Sequence, residues 1–149
     1  MIRLAKERDA EELALISERS VDPKWTKEDF LSAFKNPQAR VFVCEEKMIV
    51  GYGVLYFAAD EGEIPSIAVE ESYRRNGYGD DILEGMQGFC LEEKIHRIFL
   101  EVREGNFGAI SFYKKNDFIE VGRRKKFYDH PVEDGLILEK NLMERNTTC

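Results

Sequence analysis

Ile64-Pro65-Ser66-Ile67-Ala68-Val69-Glu70-Glu71-Ser72-Tyr73-Arg74-Arg75-Asn76-Gly77-Tyr78-Gly79 decides the fold. Its first six residues read as a strand, and its last six are a glycine-punctuated turn opening an amphipathic helix. Two glycines one residue apart let the backbone turn with its N–H groups inward. The helix N-terminus adds roughly half a positive charge, so an anion such as a phosphate could sit there. A plain strand-to-helix turn with two solvated arginines fits the same six residues, and the surroundings have to separate the two readings.

Downstream, Ile82, Leu83, Met86, Phe89 and Cys90 recur on one side of a helix running from about residue 78 to 93, interrupted by Gly85 and Gly88. Arg97-Ile98-Phe99-Leu100-Glu101-Val102-Arg103 follows as a strand. Asn106 could then cap a helix carrying Ala109, Ile110, Phe112 and Tyr113, ended by Asn116-Asp117. Two strands, about 118–128 and 135–142, flank a turn at His130-Pro131.

Upstream, residues 2–5 form a first strand, and Asp9-x-x-Glu12 resembles a capping box before Leu13, Leu15 and Ile16. Thr26-x-x-Asp29 starts a second helix, with Trp25 as a staple partner to Phe30 and Leu31. Arg40 to Cys44 and Ile49 to Phe57 form a hairpin around Glu46-Lys47, and a third long strand covers about 63–70. The order β-α-α-β-β-β-α-β-α-β-β describes an α/β fold with a mixed, mostly antiparallel sheet of about seven strands and about four helices.

A chain of 149 residues is one domain by default, and its 43% hydrophobic and 34% charged residues suit a globular protein that folds alone. No apolar run approaches the roughly 20 residues of a membrane span, and the first residues lack a signal-peptide core. A cytoplasmic protein that binds no membrane is expected, as a monomer or weak homodimer. Cys44, Cys90 and Cys149 are widely spaced and His96 and His130 are isolated, so neither a disulfide framework nor a metal site is indicated. The net charge of −7 argues against nucleic-acid binding and favours cationic partners. A polyanionic ligand would need a local cationic pocket, from Arg74 and Arg75 or from Arg123-Arg124-Lys125-Lys126; the latter run reads more simply as a solvated strand edge.

With these pieces in this order, the chain resembles the GNAT superfamily of acetyl-CoA-dependent N-acetyltransferases over essentially its whole length. The superfamily signature, Arg/Gln-x-x-Gly-x-Gly/Ala between the fourth strand and the long helix, stands here as Arg74 to Gly79. Pro23-x-Trp25-Thr26 before Phe30, Leu100 to Arg103, Asn106, Tyr113, Phe118, and Phe127-Tyr128 with Glu133-Asp134 resemble the RimI-type protein N-terminal acetyltransferases. Five positions depart from the pattern: Glu71 replaces a common proline, Asp117 a glycine and Phe127 a tyrosine, and Asp80-Asp81 open the helix. Asp80 suits the helix dipole but would repel a pyrophosphate.

The resemblance implies a single acetyltransferase domain over 1–149, splayed between strands four and five, with acetyl-CoA as cosubstrate. It implies that the backbone around Arg74, Arg75, Asn76, Gly77, Tyr78, Gly79 and Asp80 cradles the CoA pyrophosphate. Ile67, Ala68 and Val69 would pair with the pantetheine arm as an extra strand, and Asn106 would contact that arm. Tyr113 would lie near the thioester sulfur as the general acid. Glu101 is the first candidate for the general base and Glu63 the second, with a shared water route open to both. The N–H near Ile67 or Ala68 would stabilise the oxyanion. Trp25 and Tyr128 are candidate acceptor-groove residues, whereas Tyr52, Tyr56 and Phe57 read as sheet packing.

An α-amine has an ordinary pKa near 7.7–8.0 and a lysine near 10.4, so a carboxylate relay through water suffices more easily for a protein N-terminus. That is the leading acceptor, by direct transfer in a ternary complex. A small cationic amine, such as a polyamine or aminoglycoside, is the second acceptor class, and a noncatalytic acyl-CoA-binding module the third reading.

Overall fold

The computed structural model describes residues 1–21, 23–129 and 131–143, so His130 and Cys149 lie outside the described residues. Seven strands form one sheet in the order β1-β2-β3-β4-β5-β7-β6. They are β1 (Ile2–Leu4), β2 (Ala39–Glu45), β3 (Ile49–Ala58), β4 (Glu61–Val69), β5 (Arg97–Arg103), β6 (Ile119–Tyr128) and β7 (Glu133–Asn141). Four helices cover it: α1 (Ala10–Ser20), α2 (Lys27–Lys35), α3 (Tyr78–Glu92) and α4 (Phe107–Lys115). The element order expected from the sequence is the one observed.

β2 and β3 are buried almost throughout because helices pack on both faces. On one face Phe42, Leu55 and Ile64 join Ile82, Leu83 and Met86 of α3. On the other, Val41, Val43, Tyr52 and Val54 join Leu13 and Ile16 of α1 and Phe30 of α2. α3 lies so close to β3 that a Cβ on Gly53 would meet Met86 Sδ at 2.7 Å. Gly85, one of the two helix glycines, receives Ile2, whose Cγ2 would be 3.0 Å from an added Cβ. Nothing in the structure explains Gly88, which has open space around it.

β4 and β5 are parallel neighbours over only three pairs, Glu61↔Arg97, Gly62↔Ile98 and Glu63↔Phe99. Beyond them β4 stays with β3 as far as Val69, whereas β5 stays with β7 as far as Arg103. The two halves of the sheet part there, opening the expected splay between strands four and five. Pro65, which has no N–H to give to a ladder, lies just past the last pair.

Two helix starts behave differently. Thr26 and Asp29 exchange the reciprocal bonds of a capping box, at 2.8 and 3.2 Å, and the Trp25 and Phe30 rings meet at 5.1 Å. Asp9 does not cap α1 with its side chain. Its carboxylate instead accepts the Lys6 N–H at 2.7 Å and Arg3 Nη1 at 2.9 Å, because the Arg3 guanidinium from β1 offers a stronger partner. Cys44 and Cys90 are buried thiols, and burial pushes Cys90 up to about 12. Among the described residues, no helix is long and apolar enough to cross a membrane and no group of three or more acidic, His or Cys side chains could hold a metal.

Candidate active site

The turn before α3 has the backbone of an anion cradle. Arg75 and Gly77 both take positive φ, 67° and 82°, and Gly77 needs glycine for that angle rather than for space. The first helical bond runs from the Asp81 N–H to the Gly77 carbonyl at 3.0 Å, and no side chain among the described residues caps the helix. The N–H groups of Tyr78, Gly79 and Asp80 are therefore left for a ligand. Arg74 Nε reaches back to the Val69 carbonyl at 3.0 Å, and Asn76 Nδ2 bridges the carbonyls of Tyr73 and Arg74. These two side chains hold the turn's shape.

The carboxylate of Asp80 turns away to α4, accepting Asn116 Nδ2 at 3.0 Å with Lys115 Nζ at 3.4 Å. α3 and α4 meet closely here, since a Cβ on Gly79 would be 3.1 Å from the Phe112 ring. The cradle opens into a cleft of about 560 Å³ bordered by Ile67, Ala68 and Val69, by Ser20 and Val21 at the end of α1, and by Asn106 and Tyr113. Asn106 caps α4, its Oδ1 accepting the Ala109 N–H at 3.1 Å. Free donors, a long cleft and an open strand edge fit a phosphate-bearing, extended ligand such as acetyl-CoA.

Strand register fixes which β4 groups face that cleft. The Glu70 N–H donates to the Val50 carbonyl at 2.8 Å, and the pairs Tyr52↔Ala68 and Val54↔Ser66 continue the same alternation. Ala68 and Ser66 thus spend their backbone groups on β3, and Ile67 and Val69 aim theirs at the gap left by β5. Tyr113 is 6% exposed, packed edge-on against Phe112 and Phe118 at 5.2 and 5.5 Å. Burial, with a smaller push from Tyr52, raises its phenol well above the usual tyrosine range, so it keeps its proton at neutral pH.

On the other side of the splay, Glu63, Glu101, Arg124, Tyr56 and Phe57 border a second cavity of about 480 Å³. Glu63 and Ile67 are four residues apart on β4, so the two cavities flank one strand segment. Glu101 Oε1 lies 3.3 Å from Arg124 Nε, whereas Oε2 is buried with no hydrogen-bond partner among the described residues. Burial lifts this carboxyl above the usual range, Arg124 opposes the rise and Glu63 adds to it. Glu63 is exposed. The pair thus offers one sheltered, more basic carboxylate and one solvated one.

Neither Trp25 nor Tyr128 borders this cavity. Trp25 packs on Phe30 and on Tyr56, 6.2 Å away, and Tyr128 lies under the Arg103 guanidinium at 4.4 Å. Tyr56 and Phe57, expected as sheet packing, and Arg124, expected on a solvated edge, line it instead. Arg123 is occupied by Glu104 and Asp134 at 2.8 and 3.0 Å, so the basic run serves the β5–β7–β6 half of the sheet rather than the cradle.

Residues 4–118 match the model of the acetyltransferase (GNAT) family. A Bacillus subtilis protein provisionally named a ribosomal protein bS18-alanine N-acetyltransferase is 30% identical over 145 residues, covering 96% of each chain. An N-alpha-acetyltransferase of Sulfurisphaera tokodaii is 30% identical over 141 residues, 85% of this chain and 84% of its own. The crystal structure of the ribosomal-protein-S18-alanine N-acetyltransferase from Escherichia coli superposes with a TM-score of 0.87 at 23% identity, covering 95% of this chain and 93% of that one.

Proposed function

Because the chain belongs to the acetyltransferase (GNAT) family and is an N-acetyltransferase, we propose that it acetylates the α-amine of a protein N-terminus, admitted beside Glu101. The observation that carries this reading is the parting of β4 from β5 after Glu63↔Phe99, with free donors at one end of the gap and a sheltered carboxylate at the other. Two relatives, one named for N-acetylation of a ribosomal-protein alanine and one for N-alpha-acetylation, support the acceptor class.

When bound, acetyl-CoA supplies an acetyl thioester that an amine can attack. The turn from Arg75 to Asp80 would hold its pyrophosphate, and the backbone of Ile67 and Val69 would hold the pantetheine. Glu101, more basic than an ordinary glutamate, takes the amine's proton through water, with Glu63 at the solvent end of the route. The Ile67 N–H faces the gap, where it would donate to the thioester carbonyl oxygen, and Tyr113 carries the proton that the sulfur would take as its bond to the acetyl carbon gives way to the new bond to nitrogen.

Mass spectrometry after incubation with acetyl-CoA and a library of N-terminal peptides, beside polyamines, aminoglycosides and lysine peptides, tests this. Acetylation of peptide α-amines is expected. Acetylation confined to small amines or lysine side chains would overturn it.

A further inference from the structure

We infer that Arg124 is a displaceable positioning residue, occupying the place of the acceptor's ammonium beside Glu101 until the acceptor enters. The inference rests on the acceptor reading above. Glu101 has only one oxygen to offer: Oε2 is buried, and it packs so closely on Gly135 of β7 that an added Cβ there would collide with it. Oε1 is the oxygen Arg124 holds, and both side chains border the same cavity. A proton acceptor whose open oxygen is already engaged by a cation must lose that cation, or share it, to work.

The hold on Arg124 is light. Its side chain is 58% exposed, bound by one ion pair at 3.3 Å and by the face of Phe127 at 5.0 Å. It sits on edge strand β6 at a break in the ladder, where pairing jumps from Arg124↔Gly135 to Tyr128↔Glu133 and Lys126 takes a φ of 53°. Among the described residues, the remaining charged groups near Glu101 leave this role to Arg124. Glu63 and Glu61 of β4 border the cavity as carboxylates, Tyr56 of β3 borders it with a phenol, and Arg103 of β5 is bound by Glu133 and the carbonyls of Asp129 and Pro131. An acceptor ammonium matches Arg124 in charge and meets the same carboxylates.

The experiment compares wild type, Arg124→Gln and Arg124→Lys on a peptide that the wild type acetylates. The pH dependence of kcat/KM reports the free enzyme and that of kcat the complex. For Arg124→Gln, a several-fold lower acceptor KM at pH 8 is expected, with the acid limb of kcat/KM moved to higher pH and that of kcat unmoved. Arg124→Lys should restore the kcat/KM limb toward wild type. Carboxyl 13C titration of Glu101 in the unliganded proteins gives the same free-state shift without any turnover. A raised KM, limbs that move together, or a Glu101 titration unchanged by Arg124→Gln would overturn the inference. Failure of the wild type to acetylate any peptide would instead strike the acceptor reading, and the unliganded titration would still test the pairing of Arg124 with Glu101.

Discussion

The Asn116 side-chain amide donates to the Asp80 carboxylate at 3.0 Å, tying the end of α4 to the first turn of α3. The negative charge that threatened a pyrophosphate at this helix start is thereby aimed at Asn116 and Lys115 while its backbone N–H stays with the cradle. Replacing Asp80 with Ala should cost about 1 kcal/mol of stability, from one lost hydrogen bond and the lost dipole partner. The Kd for CoA, read by calorimetry beside a thermal melt, should change less than about threefold. A tenfold tightening would mean that the carboxylate repels the ligand after all.

Tyr113 is placed to test the acid half of the chemistry. Its ring is buried between Phe112 and Phe118, so Tyr113→Phe keeps the packing and removes only the hydroxyl. The melting temperature should hold within a few degrees, while kcat falls about 100-fold. Because burial raises the phenol above its usual value of 10.0, wild-type kcat should show no alkaline limb from this group below about pH 10. Unchanged turnover in a folded Phe variant would remove Tyr113 from proton transfer.

What the sequence discloses depends on how far each residue's partner lies along the chain. Thr26 with Asp29, and Trp25 with Phe30, are three and five residues apart, and their contacts read directly from spacing. The splay at Glu63↔Phe99 is set by which half of the sheet keeps each strand, a nonlocal balance visible beforehand only through resemblance. Arg124 reads as a solvated cation because its partner Glu101 is 23 residues away and a ladder break decides the meeting. Asp9 misleads for the opposite reason: its capping pattern is sound locally, but Arg3 takes the carboxylate. Tyr56 and Phe57 alternate as any sheet residues would, and only the parting of β4 and β5 exposes them to a cavity.

Asp9 gives a stability prediction with a definite sign. Burial alone would raise its pKa, but the Arg3 guanidinium and the Lys6 N–H outweigh that and hold the carboxyl below its usual 3.8. A depressed folded pKa contributes stability that is present above the unfolded value and lost as pH falls through the folded one. Asp9→Asn should therefore cost about 2 kcal/mol near neutral pH. Denaturant melts of the two proteins should converge as pH drops below 3.8. A gap that is constant with pH would assign the loss to packing rather than to the ion pair.

Gly135 offers the sharpest check on Glu101 as base, because a change there moves the carboxylate without replacing it. A methyl at Gly135 would run into Oε2, so Gly135→Ala should swing the carboxylate out of its shelter. The cradle, formed by residues from Arg74 to Asp80, lies at the other end of the β4–β5 gap, and CoA affinity should be unaffected. Turnover should fall about 10- to 100-fold, since small displacements of a proton-transfer group are costly. The acid limb of kcat/KM should also move down, because a more exposed Glu101 loses the burial that raises its pKa. Glu101→Gln, measured alongside, should abolish that limb and lower turnover about 100-fold or more. If Gly135→Ala left both rate and limb in place, Glu101 would not be the group that takes the amine's proton.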